Sequence, residues 1–237
     1  MLPWILLDTA PMPGGGELRL KRRGAEFSIM LGAIELMNSR LSGSEEALAT
    51  LACARIAGRR GPAVLIGGLG MGFTLRAALG SLPADARVVV AELVPAVVAW
   101  ARGPMAEIFA GSLDDPRVAV READVGAVIA ERRAAFDAIL LDVDNGPEGL
   151  SRQANDALYG LPGLSAARAA LKPGGVLGIW SQGPDRGFTG RLRQAGFAVE
   201  EIRVRAHRGR SGARHVVWMA AKAGPGAAAP TSRPRRP

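Results

Sequence analysis

From about residue 62 the chain alternates between short apolar runs and longer amphipathic stretches, with turn residues between them. Short apolar runs bounded by turn residues are typical of strands, and the amphipathic stretches predict helices. The predicted strands are AVLIGG, ARVVVAEL, RVAVREAD, FDAILLDVD and VLGIWSQ. Each is followed by a predicted helix, and the helix after the last strand is DRGFTGRLRQAGF. Runs without a polar face, such as RVVVAEL and DAILLDV, indicate strands that are buried on both sides of a parallel sheet. The alternation therefore predicts a doubly wound α/β fold, with its ligand site at the carboxyl ends of the strands.

The segments on either side of this alternation have other patterns. WILL, GELRLKR and AEFSIMLGAIEL are β-like runs with Gly-rich turns, which indicate a small antiparallel β segment over residues 1–41. SGSEEALATLACARIAG predicts a helix in which Ser42 and Glu45 have capping-box spacing and Gly58 closes the end. AVEEIRVRAHR and RHVVWMAAK predict a closing β pair, so that the α/β domain covers residues 42–222. The Pro/Ala-rich basic tail, residues 223–237, is expected to be disordered.

Composition narrows the class of protein further. The chain has 237 residues and is 48% hydrophobic, which suits one domain with an appendage. No apolar run reaches the roughly 18 residues of a membrane span, and a single cysteine, Cys53, suits a reducing cytoplasm. The net charge of +8 lies partly in the tail and in the clusters RLKRRG and RVRAHRGRSGARH. We interpret these clusters as solvated surface, so nucleic acid is not expected as a partner, and attraction of an acidic partner stays open.

Polar residues that suggest chemistry follow four of the predicted strands. The first strand ends in the glycines of GGLGMG, and a strand-to-helix turn without Cβ atoms lets a ligand approach backbone N–H groups. The later strands end in acids, and such a group is typical of a nucleoside pocket in which a carboxylate accepts ribose hydroxyls. The candidate residues are Gly68, Gly70, Gly72, Glu92, Asp124, Asp142 and Asp144.

The spacing of the glycines bears on the cofactor. The dinucleotide fingerprint G-x-G-x-x-G, counted from Gly68 and Gly70, would place its third glycine at Phe73, so the fit to NAD is poor. G-x-G-x-G instead matches the pattern found with S-adenosylmethionine. Two structural alternatives stay open: the glycines form only a tight turn, and Asp124 only caps the helix VGAVIAERR. His207 and His215 without supporting cysteines are weak grounds for a metal, and none is expected.

These motifs together resemble a known family. Over about residues 32–221, VLIGGLGMG, VAELVPAVVAWAR, DDPRVAVREAD, FDAILLDVDNGPEGL and ALKPGGVLGIWSQ are similar, in order and spacing, to segments of spermidine synthase-like proteins. These proteins have the Rossmann-like fold of class I S-adenosylmethionine-dependent methyltransferases. The resemblance implies an enzyme that uses S-adenosylmethionine or its decarboxylated form and transfers a methyl or other alkyl group to a small acceptor, with an amine favoured. The N-terminal strands would match a small β-domain often used in oligomer contacts, which allows a homodimer.

The resemblance also implies a role for each candidate residue. The three glycines would pass close to the methionine-derived tail of the donor, and Glu92 would hold the ribose hydroxyls. Asp124 would accept a hydrogen bond from the adenine amino group. Asp142 stands where aminopropyltransferases place the acid that deprotonates the attacking amine. Asp144 shares a strand face with Asp142 if the strand continues, and like charges there would raise one pKa.

The chain departs from the family pattern at three places. Met71 replaces an acid that faces the amine of the decarboxylated donor, the loop DVDNGP is shortened, and the helix SGSEEALATLA lacks the Tyr and His offered to the polyamine. Glu45 and Glu46 remain there as candidates to attract a cation. Because Met71 removes repulsion of the donor carboxylate, we rank transfer of a methyl or other alkyl group ahead of spermidine synthesis. True aminopropyl transfer and a noncatalytic nucleoside-binding module are the alternatives.

Overall fold

A small antiparallel sheet opens the chain. The computed structural model describes residues 2–143, 146–147, 157–207 and 213–224, and within them this first sheet has four strands in sequential order. The strands are β1 Ile5–Pro11, β2 Glu17–Arg23, β3 Glu26–Leu31 and β4 Ile34–Asn38. The sequence run AEFSIMLGAIEL thus forms two strands rather than one, because Gly32 turns the chain at a φ of +58°. The predicted antiparallel N-terminal segment is confirmed.

The first helix, α1, covers Gly43–Arg55. The capping box predicted for it is wrong, because the side chain of Ser42 makes no capping hydrogen bond. The carboxylate of Glu45 instead accepts a hydrogen bond of 2.6 Å from the hydroxyl of Ser44. The carboxylate of Glu45 is therefore held by the Ser44 hydroxyl as well as by its own backbone N–H in the first turn of α1.

The described residues after α1 form a larger, mostly parallel sheet with the strand order β10-β11-β9-β8-β5-β6-β7. Only β11 runs antiparallel to both of its neighbours within this described sheet. The strands are β5 Ala63–Gly67, β6 Arg87–Glu92, β7 Val118–Glu122, β8 Phe136–Leu141, β9 Leu171–Ser181, β10 Phe197–Arg205 and β11 Arg214–Lys222. The predicted α/β sheet and the closing β pair are both confirmed.

Helices connect these strands and cover the two faces of the sheet. They are α2 Phe73–Ser81, α3 Pro95–Arg102, α4 Ala106–Phe109, α5 Val125–Ala130, α6 Leu161–Ala170 and α7 Phe188–Gln194, with a 3₁₀ turn at Ser112–Asp114. The chain moves outward from β5 through β6 to β7 and then returns to β8 on the other side of β5. The strand order reverses at this point, and α/β folds bind ligands beside such a reversal.

The small sheet and the main sheet share one hydrophobic core. Leu20 and Ile29 from the small sheet are fully buried in the same cluster as Leu48 of α1 and Val64 of β5. The indole N–H of Trp100 in α3 also donates a hydrogen bond of 2.7 Å to Asp8 of β1. The small sheet is thereby fixed over one side of the α/β domain. No helix among the described residues is long and apolar enough to cross a membrane.

Candidate functional site

A cavity of about 600 Å³ lies at the carboxyl ends of β5, β6, β7 and β8. Gly68 and Gly70 line it, as do the three acids Glu92, Asp124 and Asp142. These strand-end residues, which the sequence singled out, are thus brought together from the ends of four strands. Most of the remaining wall is apolar, and the small sheet supplies Met12, Leu18, Leu36 and Met37.

The glycine turn after β5 is shaped by close contacts. Gly68, Gly70 and Gly72 all have positive φ, at +87°, +50° and +75°. A Cβ on Gly68 would overlap the backbone carbonyl of Asp142, and a Cβ on Gly72 would overlap the ring of Phe109. Gly72 is not among the described residues that line the cavity. The absence of a side chain at this position instead allows the start of α2 to pack against Phe109.

Several backbone N–H groups of this turn already have partners inside the protein. Gly68 donates to the carbonyl of Ala91 at 2.9 Å, and Gly72 donates to Leu69 at 2.8 Å. The N–H of Leu69 donates to Oε2 of Glu92, also at 2.9 Å. The expectation that a ligand takes up these N–H groups is therefore wrong for Gly68, Leu69 and Gly72.

Glu92 ends β6 as a buried carboxylate, 8% exposed. Its Oε2 accepts from Leu69 and its Oε1 accepts from the N–H of Val94 at 2.9 Å. Burial raises the pKa of Glu92, while the backbone donors oppose that shift. The backbone N–H groups of Leu93 and Gly70 also act on this carboxylate, so four backbone donors hold Glu92 in the wall of the cavity.

Asp124 has two positions at once. It is the N-cap of α5, where its Oδ1 accepts from the N–H of Ala127 at 2.9 Å. It also lines the cavity. The alternative interpretation of Asp124 as a helix cap is therefore confirmed as geometry, and it is compatible with contact to a ligand.

Asp142 follows β8 and lies against α2. Its Oδ2 accepts a hydrogen bond of 2.6 Å from the hydroxyl of Thr74, and burial raises its pKa to about 6. The charge of Asp142 also acts on Glu45 of α1. Burial and this charge together raise the pKa of Glu45 to about 7. Sequence reasoning missed Thr74, although a hydroxyl in the otherwise apolar first turn of α2 was a visible signal.

Two other residues from the sequence analysis do not enter this geometry. Asp144 lies outside the described residues. Met71 is 4% exposed and packs in the hydrophobic core, and the described residues that line the cavity do not include it. The argument that Met71 sets the charge beside the donor therefore fails, because its side chain points into the protein.

The charge of the cavity wall has one sign. Among the described residues that line it, the charged ones are Glu92, Asp124 and Asp142. A wall of this kind favours a cationic ligand over one that carries its own carboxylate. Within the described ranges, no group of three or more His, Cys, Asp or Glu residues is placed to hold a metal ion.

Known proteins are similar to this chain in sequence and in fold. The chain is 35% identical over 153 residues to a polyamine aminopropyltransferase of Mycobacterium tuberculosis, which is 60% of this chain and 28% of that protein. Its fold matches spermidine synthase from Thermotoga maritima with a TM-score of 0.73 at 19% identity, over 92% of this chain and 72% of that one. The chain is thus similar in sequence to polyamine aminopropyltransferases and in fold to spermidine synthase.

The match to the curated relatives is partial. The chain spans less than a third of the length of the curated relatives it matches. Human methyltransferase-like protein 13 in complex with SAH shares the fold with a TM-score of 0.55 at 21% identity, over 77% of this chain and 80% of that one. No family model matches the chain. The solved structures support the Rossmann-like methyltransferase fold.

Proposed function

We propose that the cavity binds a nucleoside sulfonium, S-adenosylmethionine or its decarboxylated form, and that the protein transfers a group from it to an amine. One observation carries this proposal: Glu92, Asp124 and Asp142, from three successive strand ends, line one cavity beside the glycine turn. The similarity to polyamine aminopropyltransferases supports the same class of donor and acceptor. Decarboxylated S-adenosylmethionine carries two positive charges, which suits an acidic wall.

The proposal assigns a role to each side chain on the wall. Glu92, which lines the cavity, would accept hydrogen bonds from the ribose hydroxyls in competition with its backbone donors. Asp124 would accept from the adenine amino group through the oxygen that does not cap α5. Gly68 and Gly70 would lie along the aliphatic tail, where an added Cβ would narrow the cavity.

The chemistry is a displacement at a carbon bonded to sulfur. The amine nitrogen forms a bond to that carbon, the carbon–sulfur bond breaks, and sulfur keeps the electron pair as a neutral thioether. The amine loses a proton, and we assign that proton to Asp142, whose pKa of about 6 lets it act as a base near neutral pH. A second acid at Asp144 stays a prediction from the sequence.

The transferred group follows from the charge of the wall. The preference for methyl transfer depended on Met71, which is buried in the core. The described wall instead offers carboxylates, which repel the carboxylate of intact S-adenosylmethionine. We therefore propose aminopropyl transfer from the decarboxylated donor, and methyl transfer becomes the alternative outcome of the test.

Calorimetric titration with both donors tests the proposal. We expect the decarboxylated form to bind at least about tenfold more tightly than intact S-adenosylmethionine. The reason is that the carboxylates of the wall repel the carboxylate of the intact donor, and such repulsion over a few ångströms costs about 1.4 kcal/mol or more even when partly screened. Glu92→Gln should weaken binding of either donor by about tenfold, the value of one charged hydrogen bond. The matched control is Glu122→Gln, since Glu122 pairs with Glu92 in register but is exposed.

Each result of the titration has a meaning. Tighter binding of intact S-adenosylmethionine would replace aminopropyl transfer by methyl transfer. Unchanged affinity in a folded Glu92→Gln variant would remove the ribose role. If the wild-type protein bound neither donor, the proposed function would be contradicted altogether.

A further inference from the structure

The last strand of the small sheet contains a β-bulge beside the cavity. Where β4 pairs with β3, Met37 lies opposite Ile29, and Glu35 lies opposite Met30. Ile29 and Met30 are consecutive in β3, but Leu36 stands between their two partners in β4, so Leu36 is the extra residue of the bulge. A bulge redirects the side chains around it, and bulges are frequent next to functional sites.

The bulge brings two consecutive side chains to the same side of β4. Consecutive residues of a regular strand face opposite sides of a sheet. Met37 is opposite Ile29, which is fully buried in the shared core. Glu35 belongs to the other face, where its carboxylate accepts a hydrogen bond of 2.6 Å from the hydroxyl of Ser28. Leu36 and Met37 both line the cavity, so β4 presents two adjacent apolar side chains there instead of one.

Met37 reaches across the cavity wall to the glycine turn. Its Sδ lies 3.2 Å from the position that a Cβ on Gly70 would take, so the thioether covers the backbone of Gly70. Gly70 also lines the cavity, and the proposed function places the aliphatic tail of the donor along it. Intact S-adenosylmethionine carries its carboxylate on this tail, and the decarboxylated form has none. Met37 is therefore next to the part of the ligand in which the two donors differ.

The surroundings of Gly70 offer no partner to a carboxylate. The N–H of Gly68 donates to the carbonyl of Ala91, and the N–H groups of Leu69 and Gly70 act on the carboxylate of Glu92. The cavity lining that the structure describes includes no Lys, Arg or His. A carboxylate that is placed against apolar side chains without a hydrogen-bond donor or a cation is strongly disfavoured.

We propose that Leu36 and Met37 form an apolar selectivity wall that rejects the carboxylate of intact S-adenosylmethionine, and that Met37 contacts the tail of the donor. This inference rests on the proposed function for the presence of the donor in the cavity. The decarboxylated donor places methylene groups against Met37, whose flexible thioether adapts to apolar surfaces. Its ammonium group is attracted by the acids of the wall. Selectivity then has two sources, which are repulsion by the acids and the lack of any partner for a carboxylate at Met37.

Calorimetric titration of full-length variants with both donors tests the wall through the ratio of the two dissociation constants. Met37→Arg adds a cation, so we expect the preference for the decarboxylated donor to fall by about tenfold or more, the value of one charged hydrogen bond. Met37→Gln adds an amide donor and should lower the preference by less. Met37→Leu keeps the surface apolar and should leave the ratio within about twofold of the wild-type value.

The matched control is Met30→Arg. Met30 precedes the bulge on the partner strand β3, belongs to the other face of the small sheet, and is not among the described residues that line the cavity. This variant adds the same charge to the same sheet. It should leave the ratio of the two dissociation constants unchanged.

A nuclear magnetic resonance measurement tests the contact itself. The chain has seven methionines, and their ¹³C-methyl signals can be followed in the full-length protein. The signals of Met37 and Met30 are assigned by their loss in Met37→Leu and Met30→Leu. Saturation with the decarboxylated donor should shift the Met37 signal and leave the Met30 signal in place. The same spectrum shows whether each variant is folded.

The two proposals fail in different ways. An unchanged donor ratio in folded Met37→Arg or Met37→Gln, an equal change in Met30→Arg, or an unmoved Met37 signal at saturation would overturn the selectivity wall while donor binding stands. A wild-type protein that prefers the intact donor, or that binds neither, would contradict the proposed aminopropyl transfer and overturn the selectivity wall with it.

Discussion

At the scale of single residues, Gly68 sets the distance between the glycine turn and Asp142. Its φ of +87° is rarely adopted by other residues, and a Cβ there would overlap the Asp142 carbonyl. The backbones of β5 and β8 remain close at this point, since the N–H of Asp142 also donates to Gly67 at 2.9 Å. The glycine is therefore required by a close approach of two chain segments, and it shapes the cavity as a consequence.

We expect Gly68→Ala to lower the free energy of unfolding by about 2 kcal/mol or more, because it combines an unfavourable backbone conformation with a steric overlap. Urea denaturation measures the change, and calorimetry should show loss of donor binding. Gly80→Ala is the matched control, since nothing lies within 4 Å of its added Cβ in α2. That control should be neutral or stabilising by up to about 1 kcal/mol. Equal stability of the two variants would contradict this account.

At the scale of elements, the start of α5 is also part of the cavity wall. Asp124 ends the β7 connection and caps α5 with one oxygen, and the next residues of the helix, Val125 and Gly126, also line the cavity. The position of the cap therefore fixes the position of this wall. The side chain that caps the helix thus also faces the cavity.

Two substitutions at Asp124 separate these contributions. Asp124→Ala should cost about 1 kcal/mol in the free energy of unfolding, because the cap is lost. Asp124→Asn should keep the cap through its amide oxygen, but its NH₂ group cannot accept from the adenine amino group, so donor affinity should fall at constant stability. Denaturation and calorimetry on both variants measure this. Full donor affinity in Asp124→Asn would show that Asp124 is a cap and nothing more.

At the scale of the whole molecule, strand β8 has acids at its two ends with opposite surroundings, a buried Asp137 and a half-buried Asp142 just after the strand. At the amino end, burial disfavours the ionised form of Asp137, but Lys172, the N–H of Ala63 and Arg59 outweigh it and lower the pKa of Asp137. At the carboxyl end, burial raises the pKa of Asp142 to about 6. Asp137 is paired with two cations and supports the fold. Asp142 has no cation among its described partners and faces the cavity.

The pH dependence of stability should differ between these two ends. The folded state favours protonated Asp142, so its contribution is complete below about pH 4 and is lost as the pH rises through about 6. Asp142→Asn should therefore be more stable than the wild type at pH 8, on the order of 1–3 kcal/mol, with the difference vanishing toward pH 4. Denaturant unfolding at several pH values measures the difference.

The matched variant at the other end should behave in the opposite way. Asp137 has a lowered pKa, so its contribution is present at neutral pH and is lost as the pH falls through that lowered pKa. Asp137→Asn should accordingly be less stable than the wild type at pH 7, with the gap closing in acid. An Asp142→Asn variant that is less stable than the wild type at pH 8 would contradict the opposite pKa shifts of Asp137 and Asp142.

The sequence by itself determined the class of fold and the charged residues of the described cavity wall. Apolar runs alternate with amphipathic stretches, and this local pattern predicts a parallel sheet whose strand ends converge. Glu92, Asp124 and Asp142 follow three such strands, so their convergence needed no knowledge of side-chain packing. The boundary between β3 and β4 was harder to predict from the sequence, because a single glycine, Gly32, within an apolar run is not a sufficient signal for a turn.

Tertiary structure decided the direction and the partners of individual side chains. Met71 sits in the glycine motif, but packing turns its side chain into the core. Glu45, Thr74 and Asp142 are far apart in the sequence and meet only because α1, α2 and the end of β8 pack together. Such contacts depend on long-range packing, and local hydrophobic periodicity carries no information about which side chains packing will join.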